Sequence, residues 1–498
     1  MKDIPTQNMF IGNEWVPAAS GKTLDVENPA NGGIIARVPE AGVEDVEKAV
    51  AAAEEGFREW GGLSGVERAV ILSRAAAVLG ERLNDFVETE VKQCGRPIRE
   101  MSAQLGRQPE WFEYFAALAR TYENTQHPFG TGHVNYTRRV PLGVVAQLTP
   151  WNHPLHILMK KVAPALAAGN AIVAKPSELA PLTPLMLGEV LKDAGLPAGA
   201  FNVITGFGGT AGKALVTHPR IRKIDLTGGT ETGRRIAAIA ADSMIPCTAE
   251  LGGKAAVIIF DDVDFERAVS GAMFAAFIAA GQTCVQGSRI LVQRSIHDRF
   301  VERYTERVGA IRLGDPEDPK TQMGPVVSKA QRDNALNYIA SAIEEGATIA
   351  TGGKPPEGKA FENGYYLEPT VITEVTSGMR VFQEEIFGPV TVVVPFEDEA
   401  DAIRLANATE FGLGSSVWSR ESSRGHRVAH ALDCGVVWIN DHHRIDPASP
   451  WGGHKSSGMG HDNGILSYES YTKYQSVIVN LSDDFFDWYG SDEAGRLN

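Results

Sequence analysis

The sequence predicts an α/β protein of two open parallel-sheet lobes with a small β arm. Short apolar runs alternate with helical periodicities from Gly143 onward, and a second such series begins near Ala255. Two strand-like segments, HVNYTRRV before Pro141 and QSVIVNL near the C-terminus, belong to neither series. Strands alternating with helices imply parallel neighbours joined by right-handed crossovers.

Ahead of the first series, residues 44–60 and 65–94 read as helices. Val46, Ala49, Val50 and Ala53 recur at helical spacing, as do Val70, Leu72, Ala76 and Leu79. A third helix is expected over 108–120. GVVAQLT then reads as a buried strand, LHILMKKVAPALAAG as a helix and AIVAK as a strand. A helix near 183–194, the strand FNVITG, a helix from about 210, the strand KIDLTG and a helix from about 232 complete the lobe.

The second lobe starts at AAVIIF (255–260). A helix over 264–280 follows, entered at Asp262 or Asp264 as N-cap, then the loop GQTC and the strand RILVQ. A helix around 328–345, TVVVPF, a helix over 398–408 and VVWIN (436–440) come next, so the lobes meet near residue 250. HVNYTRRV and QSVIVNL would leave strand edges open, which points to assembly through sheet pairing.

With 498 residues the chain is long enough for two or three domains. Lys plus Arg total 47 against 62 Asp plus Glu, a net charge of −15, which argues against a nucleic-acid surface. The four cysteines, Cys94, Cys247, Cys284 and Cys434, show neither paired nor zinc-like spacing, so a reducing compartment is favoured. The opening MKDIPTQNMF lacks the look of a signal peptide. The most apolar helical stretch, Ala268 to Gly281, falls short of the ~18 residues of a membrane span. A cytoplasmic protein without membrane partners is expected.

Two strand–turn–helix joints carry glycine clusters, Gly206–Gly212 and Thr227–Gly233. Glycines there let backbone approach a ligand, and the following helix offers free N–H groups to pyrophosphate. Neither matches GxGxxG, and each alone reads equally as a tight turn. In KPSE, Lys175 to Glu178, a carboxylate suits the ribose hydroxyls of an adenosine and would repel a 2′-phosphate, favouring NAD over NADP.

Cys284 follows a long apolar helix in Gly281-Gln282-Thr283-Cys284. A free thiol titrates near ~8.5 and needs help to ionise at neutral pH. Cys94, Cys247 and Cys434 read as small core residues; the setting of Cys284 reads as a nucleophile. Glu250, at the joint between lobes in Glu250-Leu251-Gly252-Gly253-Lys254, is either a salt-bridge partner or, when partly buried, a base for water. Asn152 in Thr149-Pro150-Trp151-Asn152-His153-Pro154 offers an amide donor that suits an oxyanion hole.

At these residues the chain resembles the aldehyde dehydrogenase superfamily over nearly its whole length. PWNHP, KPSE, LTGGTETG, ELGGK, GQTC, EEIFGPV and PWGGHKSSGMG stand in the family's order. The resemblance implies a hydrolytic, NAD(P)-dependent aldehyde dehydrogenase with Cys284 as nucleophile, Glu250 as base, Asn152 as oxyanion donor and Lys161 behind the site. It implies NAD as cofactor, with NADP also accepted by some relatives. Lys175 and Glu178 would hold the adenosine ribose, and Glu385 and Phe387 the nicotinamide side. Thr149, Pro150, Trp151, Ser177, Gly208, Thr227, Gly228, Gly229, Thr232 and Leu251 would line the crevice.

Domains follow from the same resemblance. A Rossmann-like NAD-binding domain would span 1–122 and 141–252, a catalytic domain 253–452, and oligomerisation strands 123–140 and 470–485 of a homodimer or homotetramer. Two departures stand out. Gly229 replaces a serine common in the family, and Asp462 stands where many members carry a glutamate proposed as a second proton acceptor.

The family's substrate tunnel maps here onto Arg107, Trp111, His153, His156, Lys160, Thr283, Val285, Arg444, Ile445 and Trp451. These suit an aromatic or carboxylate-bearing aldehyde, unless Arg107 and Arg444 pair at the mouth with Glu110 or Asp446. Asp441-His442-His443 is not read as a metal site, because adjacent residues rarely chelate one ion. Competing readings are a CoA-acylating oxidation, against which Glu250 argues, a non-catalytic structural member, and a thioesterase-like hydrolase that would not need the nucleotide crevice.

Overall fold

The computed structural model describes residues 4–483 and 487–490. Residues 1–3 of the expected first domain, and 484 and 485 of the expected arm, lie outside them. Apolar runs without polar alternation form strands buried on both faces, and two sheets are made this way.

The first sheet has at its centre Phe201–Val203, Ala171–Pro176, Val144–Thr149, Ile221–Thr227 and Cys247–Glu250, in that spatial order and all parallel. Met9–Ile11 and Glu14–Val16 extend one edge antiparallel, and Gly458–Met459 closes the other. Taken in chain order, the parallel strands run outward from Val144–Thr149, then restart beside it with Ile221–Thr227. That reversal opens a crevice at the carboxyl ends, between Thr149 and Thr227, where open α/β sheets bind ligands.

The second sheet runs Thr348–Thr351, Thr370–Thr373, Val390–Phe396, Arg289–Gln293, Ala256–Ile259, Gly414–Trp418, Val436–Ile439, parallel but for its first pair. Cys247–Glu250 leaves the first sheet at its carboxyl edge, and five residues later Ala256–Ile259 enters the second at its amino edge. The two edges therefore meet along Leu251–Ala255. Cys284 precedes Arg289–Gln293, which places it at this same amino edge.

The expected helices form, with three differences. The stretch 65–94 is two helices, Gly65–Glu81 and Leu83–Cys94, because Arg82 leaves helical geometry between them. The helix expected from about 210 begins as a wide π turn, Gly208–Gly212, where its glycines let the coil loosen. The helix over 264–280, capped by Asp264, stops at Phe277, and Ala279 and Ala280 turn left-handed. Helices Arg294–Gly309 and Ser422–Ala431 and the strand Gly414–Trp418 escape the periodicity reading.

His133–Pro141 pairs with Thr472–Asn480 over nine residues, with Gln126–His127 alongside. This arm exposes Tyr136, Tyr474, Ile478, Val479 and Leu481. Among the described residues, no helix is long and apolar enough to cross a membrane.

Candidate active site

Two glycines make the seam between the sheets. A Cβ on Gly252 would lie 2.3 Å from Glu385 Oε2, and one on Gly253 would lie 2.2 Å from the carbonyl oxygen of Cys284. The Gly253 N–H donates to Glu385 Oε1 at 2.8 Å. Any side chain at these positions would push apart the Glu250 strand, the Cys284 loop and the Glu385 segment.

The Cys284 loop is entered through strained backbone. Ala279 (φ 54°) and Ala280 (φ 51°) sit in the left-handed region, which costs about 1–3 kcal/mol per non-glycine residue and persists only where surroundings enforce it. Gly281 continues it at φ 73°. The enforcement is visible. Glu100 Oε2 accepts from the Ala279 N–H at 3.2 Å, and Gln282 Nε2 donates to the Ala279 carbonyl at 3.1 Å. Gln286 Nε2 donates to Gly388 O at 2.8 Å. Glu100 is itself held by Arg96, whose guanidinium also reaches Gln104 Oε1 at 2.7 Å.

Cys284 is a half-buried free thiol. Burial pushes it up to about 12, and the ammonium of Lys160 is the leading influence in the other direction. Glu250 is buried, and neither carboxylate oxygen has a hydrogen-bond partner among the described residues. Burial, reinforced by the negative charge of Asp462, lifts it well above the usual carboxylate range. It is therefore no salt-bridge partner.

Asn152 is buried between strand Val144–Thr149 and helix Pro154–Ala167. Its Nδ2 donates to Gln282 O at 2.9 Å, leaving one amide hydrogen uncommitted two residues from Cys284. Lys161 sits behind the site, fully buried, with its ammonium on Asp225 and 3.2 Å from Asp462 Oδ1. Asp462, short as it is, also reaches Lys160 at 3.2 Å. Burial pushes this carboxyl up, but Lys161 and Lys160 outweigh that and hold it below its ordinary value.

The cofactor residues expected from sequence gather at the carboxyl ends of the first sheet. Thr149, Pro150 and Trp151 follow one strand, Ser177 and Glu178 another, and Thr227 to Gly229 a third; Thr232 lies in the first turn of helix Thr230–Asp242. Buried hydroxyls of Thr149, Thr227 and Thr230 have no partner there, and open space surrounds Gly208, Gly209 and Gly229. Lys175 differs from expectation: its ammonium donates to Pro176 O and Gly206 O, each at 2.8 Å, so it clamps backbone with two of its three hydrogens. Leu251 packs against Gly233, where a Cβ would come within 2.3 Å of it. Phe387, at φ 58°, meets the Trp151 ring edge-on at 5.4 Å. Burial lifts Glu385 to about 7.

A pocket of about 740 Å³ runs from the surface to Cys284 and Glu250. It gathers Arg107, Trp111, His153, His156, Lys160, Thr283, Val285, Arg444, Ile445 and Trp451, as the tunnel reading expects. Both arginines are committed. Arg107 forks onto Glu110 at 2.6 and 3.1 Å, with Asp446 3.9 Å away, and Arg444 pairs with Asp441 at 2.8 Å. Burial, with Lys160 and Arg96 nearby, pushes His156 down to about 3, so its ring is neutral.

The family model for the aldehyde dehydrogenase family matches residues 15–477. The chain belongs to that family. Among solved structures, PnpE from Pseudomonas sp. WBC-3 is 42% identical, with 97% of this chain and 99% of that one covered at a TM-score of 0.95. Betaine aldehyde dehydrogenase from Staphylococcus aureus, in complex with NAD+, is 39% identical over 97% of each chain, also at 0.95. Another structure of the Staphylococcus enzyme carries a BME-modified cysteine. A complex of PnpE with nicotinamide adenine dinucleotide is 42% identical over 96% of this chain and 98% of that one, at 0.94.

Sequence reasoning about this aldehyde dehydrogenase family member missed Arg96, Glu100, Met273, Phe274, Phe277 and Met323, all of which line the pocket. Only the Arg96–Glu100 spacing of four residues was a usable signal. His442, set aside as a metal ligand, has both ring nitrogens engaged, at 3.0 Å from Ser416 Oγ and 2.8 Å from Val285 O.

Glu250 supplies a pH test. A carboxyl raised on folding contributes stability that is complete below its unfolded value near ~4.3 and drains away as pH rises toward its folded value. Glu250→Gln lacks this dependence. Its Tm relative to wild type is expected to climb as pH rises above the ordinary carboxylate range; a constant difference would contradict the buried, unpartnered carboxyl.

Proposed function

We propose that this protein oxidises an aldehyde to its carboxylic acid with NAD as cofactor, through a thioester on Cys284 that Glu250 helps to hydrolyse. The observation that carries the reading is the meeting of a half-buried free thiol and an unpartnered, buried carboxyl at the inner end of one pocket. The cofactor fits the crevice: orphan threonine hydroxyls and uncovered glycines there suit phosphate and ribose oxygens. In this reading residues 1–122 and 141–252 hold the cofactor and 253–452 carry the nucleophile. The relatives solved with NAD support that choice.

Glu178 and the third hydrogen of Lys175 would hold the adenosine ribose. Glu385 and the Trp151–Phe387 ring pair would orient the nicotinamide end. When bound, NAD supplies the acceptor that takes the aldehyde to the acid oxidation level.

The Cys284 thiol gives up its proton to solvent, the thiolate sulfur adds to the carbonyl carbon, and the carbonyl oxygen becomes an alkoxide. The free amide hydrogen of Asn152 and the Cys284 backbone N–H hold that charge, an interaction worth about 2.7–4 kcal/mol per donor in such sites. Lys160 favours ionisation of the sulfur against the cost of burial. After oxidation the acyl group rests on sulfur. Glu250, as carboxylate, takes a proton from water while the oxygen adds to the thioester carbon. The C–S bond then breaks, and the proton held on Glu250 returns to sulfur. A base raised by burial suits this task, because it binds that proton firmly enough to share it near neutral pH.

The two tryptophans of the tunnel favour an aromatic aldehyde, and with Arg107 and Arg444 paired to Glu110 and Asp441, a carboxylate-bearing one would have to rely on Lys160. Exposed Tyr474, Ile478, Val479 and Leu481 on the β arm support assembly of two or four copies through that sheet.

Turnover is followed by NADH absorbance at 340 nm with an aromatic aldehyde. Cys284→Ala is expected to abolish it. Glu250→Gln should release about one NADH per active site and then slow by about 100-fold or more; sustained wild-type turnover would remove Glu250 from the hydrolytic step. Gly253→Ala, which drives a methyl group into the Cys284 carbonyl, should cost about 100-fold in kcat/KM. Wild-type kinetics in that variant would show that the seam does not position the sulfur.

A further inference from the structure

Helix Pro154–Ala167 is buried along its whole length and carries two successive lysines. Neighbouring residues leave a helix about 100° apart, so the two ammonium groups point into different surroundings. That of Lys161 turns to Asp225 and Asp462 behind the site. That of Lys160 lies 3.2 Å from Asp462 and 4.7 Å from the centre of the Trp451 ring, and both Lys160 and Trp451 wall the pocket that ends at Cys284.

An aromatic face inside a tunnel is the surface that receives a quaternary ammonium group. The face of Trp451 is already covered by the chain's own cation. Asp462 offers an arriving cation no compensation: it is fully buried and shared between two lysines. Glu250, the other acid at this depth, is held towards its neutral form by burial. Lys160 lines the pocket while its partner Asp462 does not, so an arriving cation meets the ammonium first, in a buried setting where like charges repel with reduced screening.

We infer that Lys160 selects substrates by charge, occupying the aromatic site of Trp451 so that aldehydes bearing a cation close to the carbonyl are rejected in favour of neutral and anionic ones. This rests on the aldehyde-oxidising reading above. Lys160 acts as a specificity residue by occupying space and supplying charge, a negative device rather than a receptor.

The test uses two aldehydes of the same shape. Betaine aldehyde carries a trimethylammonium group, and 3,3-dimethylbutanal replaces its nitrogen with carbon. For wild type, kcat/KM for the neutral compound is expected to exceed that for the cation by about 100-fold, and Lys160→Met should narrow the ratio about tenfold or more. Using the ratio within each protein cancels any loss of turnover common to both substrates, and Lys160→Gln serves if the methionine variant is unstable. Near-equal use of the two compounds by wild type, or an unchanged ratio in the variants, would overturn the inference while leaving the reaction intact. Absence of NADH with either compound and with an aromatic aldehyde would instead overturn the aldehyde-oxidising reading and this inference with it.

Discussion

Between the carboxylate of Glu385 and the carbonyl oxygen of Cys284 there is room for peptide backbone and nothing more. Gly252 and Gly253 thread that gap, and because they do, the carboxyl edge of one sheet is pressed against the amino edge of the other. Glu250 arrives from the first sheet and Cys284 from the second. The crevice beside Thr149 and Thr227 opens onto the same seam. A single added carbon at Gly253 would have to be accommodated by backbone, and one at Gly252 would displace the Glu385 carboxylate that accepts from the Gly253 N–H.

Burial follows from that closeness, and burial sets the electrostatics. Cys284 and Glu250 are both pushed toward their neutral forms, one as thiol and one as carboxylic acid. Charge is instead concentrated in the cluster of Lys160, Lys161, Asp225 and Asp462, where each group has an opposite partner within reach. Cys284 and Glu250 are thus left without an ion-pair partner beside a cluster whose charges are paired, a pattern found where groups change protonation state during a reaction. The strained alanines before Cys284 tell the same story in backbone terms: Glu100, Gln282 and Gln286 spend hydrogen bonds to keep an unfavourable turn in place.

The two-sheet architecture was legible because short, largely apolar segments alternate with helical periodicities. Val144–Thr149 and Ala171–Pro176 are such segments, and both are buried throughout. The break at Arg82 was not legible, since the apolar spacing continues across it and only backbone geometry changes. At the site, Cys284, Glu250 and Asn152 stood out as candidates because each lies in a short motif with glycine, proline or another turn signal. Arg96, although it lies between Gly95 and Pro97, and Glu100 act on His153 and Ala279 across long separations that spacing cannot report. The commitment of Arg107 to Glu110 was an open alternative in the sequence, and three-dimensional packing chose it. Lys175 shows the opposite limit: its motif was recognised, yet its donors are spent mostly on backbone carbonyls.

In the proposed reaction the acyl group travels on one particular sulfur at this seam. Quenching the Glu250→Gln protein in acid after mixing with NAD and an aromatic aldehyde, then mapping its peptides by mass spectrometry, locates that group. The acyl mass is expected on the peptide containing Cys284, with Cys94, Cys247 and Cys434 unmodified. NADH formation with no adduct, or an adduct on any other residue, would contradict the proposed reaction.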